Sequence, residues 1–372
     1  MTLRVGVIGG GQLARMMIPA AVNLGIELRV FAENAGESAD LAVTALGSHT
    51  DAAKVLRFAE DVDVVTFDHE HVPQQILRTL VEHGIAVRPG PDALLYAQDK
   101  LLMRQRLSEL ALPVPDWARV ETAEQLEAFL ADHHGHAVVK TATGGYDGKG
   151  VRVVRAAIEA ADWLALGHPL LVEELVEFRR ELAQLVARRP SGEIACWPVV
   201  ESMQRGGVCA EVIAPAPSSA GKVADVADDI ARTIAESLGV TGVLAVELFE
   251  TTDDRLLINE LAMRPHNTGH WTIDGSTTGQ FEQHLRAVLD LPLGATGSRD
   301  RWSVMVNILG GPSTGTLADR YPRAFDGGPG VKVHNYGKAP RPGRKVGHVT
   351  ASGDDLDQVV YQARAAAEHF QD

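Results

Sequence analysis

Cysteine is nearly absent from this chain. Cys196 and Cys209 are the only two in 372 residues, too few for a disulfide framework or a structural zinc site, and in keeping with a reducing cytoplasm. No apolar run approaches the roughly 20 residues that a membrane-spanning helix needs. The opening MTLRVGVIGGG carries no long apolar segment ahead of a small-residue cleavage site, so no secretory signal is expected. Internal repeats and long low-complexity tracts are missing too. So is any excess of cations: 35 Lys and Arg stand against 49 Asp and Glu, a net charge of −14. That argues against a nucleic-acid surface but leaves room for a locally basic pocket. What remains is a soluble globular composition, 45% apolar and 23% charged, long enough for two or three domains with their own cores.

Glycine is plentiful at one telling place. Residues 137–154 read AVVKTATGGYDGKGVRVV. An apolar run delivers Lys140, a turn with glycines at 144, 145, 148 and 150 carries Tyr146, Asp147 and Lys149, and a β-branched run leads away. The pattern is strand, loop, strand. Glycines let the backbone bring its N–H groups close to an anion, and the two lysines add charge, a suitable seat for a polyphosphate. A plain β-hairpin with a flexible tip has the same pattern.

Residues 1 to about 95 alternate between strand patterns (3–8, 28–32, 62–67, 85–88) and helix patterns (12–24, 51–59, 74–83), which predicts a parallel sheet flanked by helices. The first turn is GGGQLARM, residues 9–16. With Ala14 it satisfies G-x-G-x-x-G/A, and Glu33 ends the next strand where a ribose-binding acid would stand, so a dinucleotide site competes. The underlying physics is only anion binding at a helix N-terminus, which any phosphate satisfies, and a structural glycine turn fits as well. TFDHEHVP, residues 66–73, offers Asp68, His69, Glu70 and His71. Neighbours in an extended segment point to opposite faces, so a substrate contact at the C-terminal edge of the sheet is the better reading than a metal cluster.

Further on, a helix is expected over 92–110, with Asp99 and Lys100 near its middle, before LPVP at 112–115 marks a domain boundary. Helices over 122–133, 156–166 and 224–238 and strands over 169–175, 181–188 and 192–200 follow. GVLAVELF (242–249) and RLLINEL (255–261) look like a hairpin. With Asp253 and Asp254 as a two-residue turn, Glu247 falls opposite Glu260. Two carboxylates facing each other repel unless a divalent cation such as Mg²⁺ lies between them. A register off by one, or a solvated glutamate, is the alternative. Asn259 points the other way in a regular strand and joins the pair only near a bulge or strand end. In MRPHNTGHWT (263–272), His266 and His270 have the spacing of helical zinc ligands, but Pro265 and Gly269 favour a loop carrying substrate contacts. A helix is expected over 281–289. The tail from Ser303 is small and mixed, and its PRPGRKVGHV places Arg341, Arg344 and Lys345 in a basic loop, solvated or clamping a phosphate.

Taken together, a strand lysine, a glycine-rich lid, an acidic linker and paired carboxylates resemble the ATP-grasp enzymes. GGGQLARM, QDK at 98–100, GGYDGKG at 144–150, NELAMRPHNTGHWT at 259–272 and GRKVGH at 343–348 more narrowly resemble the N5-carboxyaminoimidazole ribonucleotide synthetase family of purine biosynthesis, over nearly the whole chain. The resemblance implies a parallel α/β domain (1–95), a central ATP-grasp domain (96–294) and a small mixed C-terminal domain (295–372), in a cytoplasmic homodimer. It implies that ATP contacts Lys100 and Lys140, that Gly145, Tyr146, Asp147, Gly148, Lys149, Gly150 and Val151 form the lid, that Glu173, Glu174, Leu175 and Val176 line the adenine pocket largely through backbone groups, and that Glu181 takes the ribose. Glu247 and Glu260 would hold Mg²⁺ with Asn259 assisting. Gly11, Gln12, Leu13, Glu70, Arg264, His266, Asn267, Arg344 and Lys345 would face 5-aminoimidazole ribonucleotide, and Asp147, Lys149 and Lys345 would be catalytic. The implied reaction joins bicarbonate to that ribonucleotide through carboxyphosphate, with release of ADP and phosphate. Ser202 and Gln204 depart from the family, which usually has asparagine and histidine there, so the histidine contact to nucleotide carries over weakly. Rival readings are an NAD-dependent oxidoreductase, a non-catalytic nucleotide-binding regulator, and another ATP-grasp ligase or a formyltransferase.

Overall fold

Alternating β-branched runs and amphipathic segments open the chain, and the computed structural model, which describes residues 2–145, 150–218 and 221–371, folds them into a parallel layer. β1 (Arg4–Ile8), α1 (Gln12–Leu24), β2 (Glu27–Ala32), β3 (Val43–Leu46), α2 (Ala52–Ala59), β4 (Val64–Phe67) and α3 (Gln74–Glu82) follow in order. Their sheet runs β3-β2-β1-β4. Val5, Val7, Val30, Val64 and Val65 are wholly buried in it, as helices on both faces require. β3 escapes the sequence pattern because it is a half-exposed edge. The strand expected over 85–88 shrinks to one bridge between Val65 and Val87, since Pro89 brings no N–H to continue the ladder.

The single helix expected over 92–110 is two, α4 (Pro91–Gln98) and α5 (Lys100–Glu109). Asp99 stands between them with extended φ/ψ, and its Oδ1 accepts the N–H groups of Leu101 and Leu102 at 2.9 and 3.1 Å. Such a cap does not show in hydrophobic periodicity. β5 (Trp117–Val120), α6 (Ala123–Asp132), β6 (Ala137–Thr141), β7 (Val151–Val154), α7 (Ala161–Leu164) and β8 (Leu170–Glu174) come next. Thr122 and Gln125 close a capping box on α6. The helix expected over 156–166 is a 3₁₀ turn at Ala157–Ala160 followed by the short α7, because no side chain caps its start. These strands form an antiparallel sheet, β5-β8-β6-β7. Lys140 lies opposite Val151, so the glycine-rich stretch is flanked by two paired antiparallel strands.

The remaining strands are β9 (Phe178–Arg188), β10 (Ile194–Cys196), β11 (Val200–Arg205), β12 (Val208–Ala214), β13 (Gly242–Thr251), β14 (Leu256–Ala262), β15 (Trp302–Leu309), β16 (Lys332–Asn335) and β17 (Lys345–Gly353). Between them come α8 (Lys222–Ser237), α9 (Thr272–Gly275), α10 (Gln280–Val288) and α11 (Tyr321–Phe325), and α12 (Leu356–Glu368) closes the chain. The nine strands share one sheet, ordered β14-β13-β9-β11-β12-β15-β17-β16 with β10 on β9. The C-terminal tail thus extends the central sheet through β12 and β15. Ala227, Ile230, Ala231 and Ile234 of α8 pack on Leu182, Val186, Leu244 and Val246 in the main core. The loop between β16 and β17 returns to the N-terminal layer: Arg15 Nε donates to the Asn335 carbonyl at 3.1 Å and Ser38 Oγ bonds the Tyr336 carbonyl.

Candidate active site

The antiparallel sheet and the long sheet face each other across a cleft of about 1410 Å³ that also reaches the first turn and the basic C-terminal loop. At one end, β6 presents Lys140, whose Nζ lies 2.6 Å from Glu173 Oε2 and 3.1 Å from Asn259 Oδ1. The cap at Asp99 starts α5 at Lys100, whose Nζ reaches Glu260 Oε1 at 2.7 Å. Glu173, expected to line the adenine pocket largely through its backbone, has its side chain buried between Lys140 and Arg104. Burial would raise its carboxyl, but the two cations outweigh that and hold it below the usual carboxylate range. Arg104 carries no motif and lies mid-helix, so nothing in the sequence singled it out. Glu174, Leu175, Val176 and Glu181 line the cleft, with Val138, Val151, Val153, Phe178 and Phe249 giving it apolar walls.

The facing glutamates come about by an unexpected route. The hairpin loop holds three residues, not two: Thr251 N–H donates to Arg255 O at 2.9 Å, and Asp254 takes a left-handed φ of 62°. That turn alone would put Glu247 opposite Asn259. A bulge at Asn259 absorbs one residue, and beyond it Glu247 pairs with Glu260. The bulge also accounts for Asn259 Oδ1 reaching Lys140 beside the pair. Burial, Glu260 and Glu181 push the Glu247 carboxyl up to about 8. His266 Nε2 stands 3.4 Å from Glu247 Oε1. Burial, with Arg264 and Lys345 nearby, lowers its pKa well below the ordinary value, so it is neutral and offers Glu247 no countercharge. The facing pair has one close cation for two carboxyl groups, Lys100 on Glu260 Oε1 at 2.7 Å, and with an amide oxygen alongside it is a donor set suited to a hard divalent cation.

At the other end Gly11, Gln12 and Leu13 meet Glu70, Arg264, His266 and Asn267. Gln12 donates to Asn267 Oδ1 at 3.3 Å and accepts from Lys338 Nζ at 2.7 Å. Glu70 accepts from Met263 N–H at 2.6 Å and Arg264 Nε at 3.1 Å, so it holds the 263–272 loop. His270 lies buried behind the cleft, bonded to Gln280 at 2.9 Å. Arg341, Arg344 and Lys345 line the same cleft from the C-terminal loop. Lys338 was missed, although the basic stretch around it was the available signal. Gln204 lines the cleft as well, bonded to Ser202 Oγ at 3.2 Å.

The first turn does not work as its glycines suggested. Asp68 Oδ1 accepts the Ala14 N–H at 2.8 Å, so a carboxylate already occupies the start of α1 where an anion was expected. Gly11 is needed for this approach, because a β-carbon there would collide with the Asp68 carboxylate. Glu33 bonds His49 at 2.8 Å and does not line the cleft, which removes the ribose-binding acid of the dinucleotide reading. Cys209 reaches the cleft, but burial pushes its thiol up to about 12, so it offers no thiolate at neutral pH. Gly145 and Val151 line the cleft, whereas Gly150 stays behind it, its carbonyl accepting Thr141 N–H at 2.9 Å. Tyr146, Asp147, Gly148 and Lys149 lie outside the described residues.

Three family profiles match in chain order: a ribonucleotide synthetase preATP-grasp domain over residues 1–98, an ATP-grasp domain over 105–281, and a phosphoribosylaminoimidazole carboxylase C-terminal domain over 303–362. An N5-carboxyaminoimidazole ribonucleotide synthase of Mycobacterium tuberculosis is 51% identical over 371 residues, covering 98% of this chain and 86% of its own. The crystal structure of the synthetase from Thermus thermophilus superposes with a TM-score of 0.89 at 37% identity, covering 98% of each chain. That of the Aspergillus clavatus synthase, in complex with ADP and 5-aminoimidazole ribonucleotide, gives 0.88 at 29% identity over 99% of this chain and 98% of its own.

Proposed function

Since the chain belongs to the N5-carboxyaminoimidazole ribonucleotide synthase family of ATP-grasp ligases, which carboxylate 5-aminoimidazole ribonucleotide at the expense of ATP in purine biosynthesis, we propose how its own residues divide that work. ATP lies between the two antiparallel sheets. Its adenine meets the apolar walls and the backbone of residues 173–176, its ribose meets Glu181, and its phosphates meet Lys100 and Lys140. Glu247, Glu260 and Asn259 form the Mg²⁺ site, and the cation, when bound, neutralises phosphate charge. Bicarbonate is the carboxyl source. One of its oxygens attacks the γ-phosphorus, ADP leaves, and carboxyphosphate remains. The exocyclic amine of the ribonucleotide then takes the carboxyl carbon, directly or as released CO₂, and phosphate departs. Alignment and charge neutralisation dominate such a transfer, which the lysines are suited to provide.

The ribonucleotide occupies the opposite end, against Gln12, Asn267 and the basic loop of Arg344 and Lys345. Asp147 and Lys149 are assigned to its amine, Asp147 to orient it, and residues 145–151 to a lid over the labile intermediate. The domain limits 1–95, 96–294 and 295–372, a homodimer and a cytoplasmic location complete the reading. Among the described residues no helix is long and apolar enough to cross a membrane. The supporting observation is one continuous cleft lined by Lys100 and Lys140, by Glu247, Glu260 and Asn259, and by Arg344 and Lys345.

The experiment is ADP release by the purified protein with Mg²⁺ and bicarbonate, with and without 5-aminoimidazole ribonucleotide. Strong stimulation, with bicarbonate-dependent consumption of the ribonucleotide, supports the reading. A folded protein that binds ATP but shows no stimulation refutes the acceptor assignment.

A further inference from the structure

Arg104 is fully buried, on α5, and does not line the cleft. Its Nε pairs with Glu173 Oε1, and its Nη2 donates to the Asn259 carbonyl at 2.7 Å. The other carboxylate oxygen of Glu173 holds Lys140 Nζ at 2.6 Å. One buried anion therefore lies between two cations, only one of which faces the cleft. A buried carboxylate with a single cationic partner holds it firmly, because separation leaves an uncompensated charge in a medium of low dielectric. A second cation removes that penalty.

We propose that Arg104 is a positioning residue that keeps Glu173 compensated, so that Lys140 can exchange this carboxylate for a phosphate of ATP. The proposal rests on the reading that Lys140 contacts phosphate. Arg104 also fixes the distance between the two halves of the site, since it joins Glu173 of β8 to the bulge at Asn259 on β14. Without it, Glu173 retains Lys140 and ATP must break a buried pair to bind. Without Glu173, Arg104 and Lys140 face each other unshielded, and Lys140 is driven from its place. Removal of both charges leaves Lys140 on Asn259, available again.

The test is calorimetric titration of ATP into the full chain, with bicarbonate and acceptor omitted, for Arg104→Met, Arg104→Lys, Glu173→Gln, the double variant Arg104→Met/Glu173→Gln, and Lys140→Met. Arg104→Met and Glu173→Gln should each weaken ATP on the order of tenfold, in the range of coupling between contacting residues, and the double variant should return to within about threefold of the parent. Arg104→Lys keeps the charge and should lose less than about threefold. Losses that multiply in the double variant mean that Arg104 merely packs α5 against β8, and overturn the proposal. Thermal unfolding of each variant identifies any that does not fold, and Arg104→Gln then takes the place of Arg104→Met in the same cycle. Unchanged ATP affinity in Lys140→Met refutes the phosphate reading itself, whereas a weakened Lys140→Met with a multiplicative cycle refutes only the role of Arg104.

Discussion

Glu247→Gln should make the cation-free protein more stable and the enzyme inactive. Burial, Glu260 and Glu181 raise this carboxyl from an ordinary 4.5 to about 8. A carboxyl with a raised folded-state pKa contributes fully below pH 4.5 and costs stability as pH climbs from there toward 8. At about 1.36 kcal/mol per pH unit, the interval from 4.5 to neutral pH amounts to roughly 3 kcal/mol. The side chain keeps 25% of its surface in solvent, and screening brings the expected cost to about 1–2 kcal/mol. Glutamine has the same shape and no charge. In EDTA at pH 7 its urea midpoint should therefore exceed the parent's by an amount worth about 1–2 kcal/mol, shrinking to nothing near pH 4.5. Added Mg²⁺ and ATP should narrow or reverse the gap, because only the parent retains the full ligand set. Equal midpoints at pH 7, or an advantage that does not change with pH, would refute the argument that charge on buried Glu247, facing Glu260, costs the cation-free protein stability.

Glu260→Gln should lower Mg²⁺-dependent turnover roughly 100-fold or more with the fold intact, read by ADP release and circular dichroism; near-normal activity would remove the metal assignment. Lys345→Ala should weaken the ribonucleotide more than ATP, and separate KM values for the two would expose an effect confined to ATP. His284 is buried, with the Val243 N–H on Nδ1 at 3.0 Å and Thr66 Oγ1 by Nε2 at 2.8 Å, and burial lowers its pKa to about 3. Only the unfolded chain takes up its proton below pH 6.5, so stability falls as pH drops. His284→Gln should lose about 2 kcal/mol less than the parent between pH 7 and 5, and parallel pH–stability curves for the two would discard this account.

Much of the site was legible because its chemistry is concentrated in short segments. Lys140 between an apolar strand and glycines, the loop at 263–272 and the basic loop before β17 each stand out by residue type, and the cleft gathers them. The facing of Glu247 and Glu260 was anticipated for an incomplete reason. The loop is one residue longer than assumed, and the bulge at Asn259 restores the pairing. Two compensating irregularities leave no trace in an alternating pattern, which records faces and not partners.

Local sequence determined the alternation of the first layer, the two strands that flank the glycine-rich stretch and the family motifs, since each depends on residues close together in the chain. Tertiary structure decided the rest. It brought Asp68 onto the start of α1, where glycines alone suggested a phosphate. It turned Glu173 inward onto Arg104, a residue 69 positions away, and ran the C-terminal strands into the central sheet so that Lys338 meets Gln12 across 326 positions. Buried ion pairs and sheet order depend on which surfaces meet, and single-sequence periodicity carries no record of that.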